Sequence, residues 1–167
     1  MDILVISDTH GRTQPILEAL SRVKPDLIFF LGDGLRDLAV LPDCSIVRAV
    51  RGNCDFWSDD DAPDFRIEVV GGYRFLLTHG HRYGVKSSLD ALLASAAAQD
   101  IDAVCYGHTH EPFEKTLPVG TVVGGIPLKK PLLVLCPGSL SQPARGEPSF
   151  ATLTLHRGTL LAGHGKL

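Results

Sequence analysis

The chain has 167 residues, 44% of them hydrophobic and 21% charged, with a formal net charge of −3 and a pI near 6.1. That length is one domain's worth, residues 1–167, with enough chain to bury a core. No basic run or basic helix accompanies the acidic balance, which excludes a dedicated binder of nucleic acid or of anionic membranes, and no apolar run approaches the length of a spanning helix.

The first apolar run, Ile3 to Ile6, is β-branched at three of four positions and reads as a strand buried on both faces. It ends in Ser7-Asp8-Thr9-His10-Gly11. Thr13 stands as the cap of a helix with Pro15 in its first turn, and Ile16, Leu17, Leu20 and Val23 recur at helical spacing up to Lys24-Pro25. Leu27 to Leu31 is a second buried-type strand, ending in Gly32-Asp33-Gly34. A short helical or irregular piece over 35–41 leads to a third strand, Ser45 to Val50, which ends in Arg51-Gly52-Asn53-Cys54-Asp55. This order implies parallel pairing through right-handed crossovers.

Residues 56–64 hold Trp57, Asp59, Asp60, Asp61 and Asp64 and read as an exposed acidic loop. Phe65 to Val70 and Tyr73 to Leu77 flank Gly71-Gly72, a hairpin signal. The second of these strands ends in Thr78-His79-Gly80-His81. Ser88 to Gln99 is expected to be a helix capped by Ser87 or Ser88, with Leu89, Leu92, Leu93 and Ala96 on one face. Ala103 to Tyr106 is a further strand, ending in Gly107-His108-Thr109-His110. Residues 120–131 are rich in glycine and proline and read as a surface loop. Leu132 to Leu135, Phe150 to Leu155 and Thr159 to Ala162 read as strands, the last two a hairpin about Arg157-Gly158. These three are expected to be antiparallel and to form a second sheet. The architecture expected is α/β: two mixed β-sheets packed as a sandwich flanked by helices.

Five strand ends thus carry ligand-type residues: Asp8 and His10, Asp33, Asn53, His79, then His108 and His110. Carboxyl ends of neighbouring strands share an edge, and that crevice is where open α/β sheets bind ligands. Asn53 is the only asparagine in the chain, and four of the seven histidines fall at such ends; His156 and His164 lie in the closing hairpin and are expected at the surface. Seven donors exceed one tetrahedral or facial site but suit two metals sharing a carboxylate. Two ions about 3.5–4 Å apart can hold a hydroxide between them and clamp both oxygens of an in-line displacement at phosphorus. The reaction expected is metal-assisted phosphoester hydrolysis. Cys44, Cys54, Cys105 and Cys136 show no C-x-x-C spacing and read as reduced thiols. With an acidic second residue leading directly into a strand, they suggest a cytoplasmic protein.

The ordered set D-x-H (Asp8, His10), G-D (Gly32, Asp33), G-N-C-D (Gly52 to Asp55), T-H-G-H (Thr78 to His81) and G-H-T-H (Gly107 to His110) resembles the calcineurin-like metallophosphoesterase superfamily. It is most similar to the small YfcE-type phosphodiesterases of bacteria and archaea, and the likeness extends to Pro137-Gly138-Ser139. The resemblance implies a four-layer α/β/β/α fold. It further implies one metal on Asp8, His10, Asp33 and His110 and a second on Asp33, Asn53, His79 and His108, filled by manganese, with iron, nickel, cobalt or zinc as alternatives. Asp33 is then the bridge, and the Asn53 amide also faces the substrate phosphate. The implied substrate is a small phosphoester, and homodimers are common among similar proteins. Larger members carry histidine directly after G-N, where this chain has Cys54. A thiol of ordinary pKa near 8.5 is a poor substitute for imidazole, so the expectation is a preference for diesters with good leaving groups, with His81 or a metal-coordinated water supplying any proton. Cys54 as a packed residue and His81 as a residue orienting a ligand are the plainer alternatives, and Arg12 beside the D-x-H turn faces either a phosphate or solvent. A protein-binding scaffold of the same fold, as in a retromer subunit, is the competing reading.

Overall fold

The structure, a computed structural model, describes residues 1–56 and 61–167. Trp57, Asp59 and Asp60, three members of the expected acidic loop, lie outside the described residues.

The first sheet contains β1 (Asp2–Ile6), β2 (Leu27–Phe30) and β3 (Val47–Ala49), mutually parallel. Helix α1 (Gln14–Val23) makes the first crossover, and a 3-10 turn over Leu35–Val40 makes the second. Thr13 does occupy the cap position of α1, but its side chain makes no capping bond; Lys24 ends the helix in the left-handed conformation. The second sheet starts with the hairpin β4 (Phe65–Val70) and β5 (Tyr73–Thr78). Helix α2 (Asp90–Ala98) then leads to β6 (Ala103–Tyr106), parallel to β5. The Asp90 N–H donates to Ser88 Oγ at 3.0 Å just ahead of α2.

The remaining strands are β7 (Pro112–Leu117), the short ribbon of β8 (Val122–Val123) and β9 (Ile126–Pro127), β10 (Leu132–Pro137), β11 (Ser149–His156) and β12 (Thr159–Lys166). The sheet orders are β12-β11-β1-β2-β3 and β4-β5-β6-β10-β7. The expectation that the last three strands form a second sheet of their own is therefore wrong. Strand β10 joins the second sheet parallel to β6, whereas β11 returns to the first sheet antiparallel to β1. Local pattern marks a strand, and partner choice is a tertiary matter. Strand β7 escaped the sequence reading because it is an exposed edge strand whose Glu114 and Lys115 hide the alternation. The 120–131 segment is not all loop, since β8 and β9 pair about Gly124-Gly125 and Val123 and Leu128 are buried beneath α2.

Strand alternation sorts the core into layers. Ile3, Val5, Phe29, Phe75, Leu77, Cys105, Leu135 and Leu153 fill the space between the sheets, where Phe29 and Phe75 meet edge to face at 5.4 Å. Their neighbours face outward: Leu4, Ile6, Ile28 and Phe30 pack under Ile16 and Ala19 of α1, and Leu76, Val104 and Val134 under Leu92 and Ala96 of α2. The order of layers is α/β/β/α. No helix among the described residues is long and apolar enough to cross a membrane.

Candidate metal centre

The carboxyl ends of β1, β2, β3, β5, β6 and β10 meet along one edge of the sandwich, which follows from the parallel pairing within each sheet. Each end turns abruptly. Eight non-glycine residues among those described have positive φ, and five of them are Asp8, His10, Asp33, His108 and His110, with φ between 46° and 69°. The left-handed conformation costs on the order of 1 kcal/mol each for a side chain of this kind. Its concentration at donor-bearing positions marks a site held in place by its surroundings.

Two groups of donors lie together: Asp8 with His10 and His110, and Asp33 with His79 and His108; a third group joins His10, Asp33 and Cys54. In the first, His110 Nε2 is 3.0 Å from Asp8 Oδ1 and 3.3 Å from His10 Nε2. In the second, His79 Nε2 is 3.3 Å from Asp33 Oδ2, 3.1 Å from Asn53 Oδ1 and 3.1 Å from His108 Nδ1. Asp33 lies between them, its Oδ2 4.0 Å from His10 Nε2.

The donor chemistry fits a cation. His79 Nδ1 faces the Leu31 carbonyl at 2.7 Å, and His110 Nδ1 faces the Gln142 carbonyl at 2.6 Å. A carbonyl only accepts, so both Nδ1 atoms carry protons and both Nε2 atoms present lone pairs to other acceptors. Asp8 Oδ1 is buried with no hydrogen-bond donor aligned on it. Acceptors aimed at acceptors are held together either by extra protons or by metal ions. Burial opposes charge on His79, but the hydrogen bond and charge of Asp33 and the charge of Asp8 raise its pKa. The Asp8 carboxylate, 3.0 Å from Nε2, raises that of His110. Burial would raise the Asp33 carboxyl, yet His79 and the Cys54 N–H hold it well below the ordinary carboxylate range. His108 moves the other way, to about 4, through burial and the neighbouring charges of His79 and Lys86.

His81 stands beside this cluster, its ring 5.4 Å from that of His79 and its Nδ1 buried without a partner; burial and the His79 charge lower its pKa. Cys54 is exposed, and its thiol is pushed up to about 11 by burial and by the carboxylates of Asp33, Asp55 and Asp8. Arg12 is exposed, its N–H donating to Thr9 O at 2.9 Å. His164 is exposed, as expected, and its Nε2 also ties the sheets together through the Cys136 carbonyl at 2.8 Å.

Sequence reasoning missed the groups that aim the donors. Asp55 accepts from four backbone N–H groups, Asp33 and Gly52 on Oδ2 and Gly34 and Leu35 on Oδ1, all at 2.8–2.9 Å. Ser139 and Ser141 both donate to the Asp8 carbonyl, at 2.8 and 3.0 Å, and Asp37 accepts from Thr9 Oγ1 and the Gly11 N–H. The sequence signal was the G-N-C-D and P-G-S motifs themselves, whose last residues had no assigned part. Gly52 is required by close approach, since a Cβ there would lie 2.1 Å from Asp33 Oδ1.

A family profile described as the Calcineurin-like phosphoesterase superfamily domain matches residues 1–158. The chain is 31% identical over 161 residues to a probable metallophosphoesterase, YsnB, of Bacillus subtilis, covering 93% of this chain and 85% of the relative. Among solved structures, a predicted phosphoesterase from Streptococcus pneumoniae superposes with a TM-score of 0.73 at 27% identity, over 99% of this chain and 88% of that one. A Vps29 variant from Entamoeba histolytica superposes with a TM-score of 0.69 at 22% identity, over 100% of this chain and 99% of its own, a likeness of fold.

Proposed function

The chain belongs to the calcineurin-like phosphoesterase superfamily, and from that membership and the donor cluster we propose that it is a metal-dependent phosphodiesterase, acting as one domain over residues 1–167 on a small phosphodiester. Two divalent ions, manganese first among them, would be held by Asp8, His10, Asp33 and His110 and by Asp33, Asn53, His79 and His108. The observation that carries this reading is the convergence of acceptors within each group, the buried Asp8 Oδ1 with His110 Nε2 and Asn53 Oδ1 with His79 Nε2. Mixed imidazole, carboxylate and amide donors suit the first-row divalent metals.

When bound, such a metal pair supplies a nucleophilic hydroxide at neutral pH and neutralises charge on the phosphoryl oxygens. The protein's own groups do the rest. The carbonyls of Leu31 and Gln142 hold His79 and His110 in the tautomer that ligates. The Asn53 amide, which donates to Cys54 Sγ at 3.3 Å, can turn its N–H toward a phosphoryl oxygen. Neither nearby proton source is strong: the Cys54 thiol has its pKa near 11, and His81 is neutral at neutral pH with its pKa lowered. A weakly assisted departure favours esters whose alcohols leave readily.

Likeness to Vps29 supports the fold alone, and all seven donor positions are occupied by ligating residue types, which favours the enzyme over a protein-binding scaffold. The test is to strip the protein of metal and assay bis(p-nitrophenyl) phosphate with and without added manganese. Turnover lost on stripping and restored by manganese is the expected result; absence of turnover at every metal loading would overturn the reading.

A further inference from the structure

Beside the metal cleft lies a second, larger hollow, and one residue belongs to both. The cleft, about 340 Å³, is lined by His10, Asp33, Cys54 and Arg36. The adjoining groove, about 690 Å³, runs over Arg36, Leu38, Ala39, Val47, Ala49 and Pro63. Together they span the size range of small-molecule sites. The character changes across Arg36, from carboxylate and imidazole on one side to a mixed lining on the other, where the aliphatic Leu38, Ala39, Val47 and Ala49 stand with Asp61 and Arg66.

Arg36 is set on a rigid base. The residue before it, Leu35, gives its N–H to the buried Asp55 carboxylate at 2.9 Å, and the residue after it, Asp37, is buried and bound by Thr9 Oγ1 and the Gly11 N–H. The guanidinium itself is exposed and has no hydrogen-bond or ion-pair partner among the described residues. The other arginine of the groove differs: Arg66 is engaged by Glu68 at 2.7 Å. A planar fork of donors, anchored at its base and free at its tip, beside a phosphate-sized cleft is suited to an anionic phosphoryl oxygen.

Resting on the proposed phosphodiesterase activity, we propose that the groove seats one ester arm of the substrate, an apolar or aromatic alcohol, and that Arg36 is the specificity-determining residue at the junction. Its guanidinium donates to an unesterified oxygen of the phosphate in the cleft, while the arm lies along Leu38, Ala39 and Val47. The cleft and the groove meet at Arg36, so an arm bonded to phosphorus in the one lies beside the other.

Isothermal titration of the manganese-loaded protein with phenyl phosphate and with inorganic phosphate tests this without turnover. The wild type is expected to bind phenyl phosphate about tenfold more tightly, the gain from covering an aromatic ring. Ala39→Phe, which fills the groove, and Ala39→Glu, which charges it, should each bring that ratio near one. Arg36→Ala should weaken both ligands about tenfold, with Arg36→Lys intermediate. A wild-type ratio near one, a ratio that survives both Ala39 substitutions, or an Arg36→Ala variant with wild-type affinities would overturn the inference while metal-dependent phosphate binding kept the phosphodiesterase reading intact. Failure of either ligand to bind in a metal-dependent way would overturn both.

Discussion

Asp55 accepts the backbone N–H of Asp33 at 2.8 Å, so the carboxylate that lies between the two donor groups is aimed by a second carboxylate that belongs to neither. The same side chain collects the N–H groups of Gly34, Leu35 and Gly52, fixing the ends of β2 and β3 to each other. Backbone held this way tolerates the left-handed Asp33, whose φ is 58°.

Asp55→Asn replaces one acceptor oxygen with an amide that faces backbone donors. The substitution should cost about 2–3 kcal/mol of stability, as expected when buried N–H groups lose a charged acceptor. It should also lower metal affinity by about 10–100-fold, the usual effect of disturbing a group that orients a ligand. Denaturant unfolding and metal titration of the variant check the two figures separately.

Stability of the metal-free protein should peak near pH 6.5. On the acid side, His108 and His81 have pKa values below the unfolded value of 6.5, that of His108 near 4. The unfolded chain therefore binds protons there that the folded one refuses, and stability falls as pH drops from 6.5 toward 4. On the alkaline side, His79 and His110 have raised values. Their stabilisation is complete below 6.5 and is lost as pH rises through the folded pKa. Melting temperatures of chelator-treated protein between pH 4 and 9 should trace this maximum; a monotonic rise across the range would contradict it.

Cys54→His places an imidazole where a thiol of pKa near 11 now stands. A group that titrates nearer neutrality protonates a departing alkoxide better. Turnover of alkyl esters should therefore rise relative to aryl esters, by about tenfold or more. An unchanged ratio would mean that the residue after Asn53 has no part in leaving-group departure.

The candidate donors were legible because each falls just past the end of an apolar run, as Asp33 comes after Leu27–Leu31 with only Gly32 between and His79 after Phe75–Leu77 with only Thr78 between. What aims them was not. The partners of His79 and His110 are main-chain carbonyls of Leu31 and Gln142, which any residue would supply. Asp55 reads as one more turn carboxylate until its four N–H groups are seen. The layers were legible from the continuous apolar runs of β1 and β2, which need cover on both faces, but the allotment of β10 and β11 to different sheets was not: β10 pairs with the nearby β6, Leu133 against Ala103, whereas β11 returns across the chain to β1, Thr154 against Asp2. Strand β7 pairs with β10 at the sheet edge with nearly all its residues exposed, and no hydrophobic pattern announces it.

The proposed function rests on a pair of metals that Asp33 would bridge. Its most direct test is manganese titration of the stripped protein, followed by electron paramagnetic resonance. Two ions bound per chain, with the spectrum of an exchange-coupled pair, is the expected result. A single ion per chain, or two giving the six-line spectrum of isolated manganese, would contradict it.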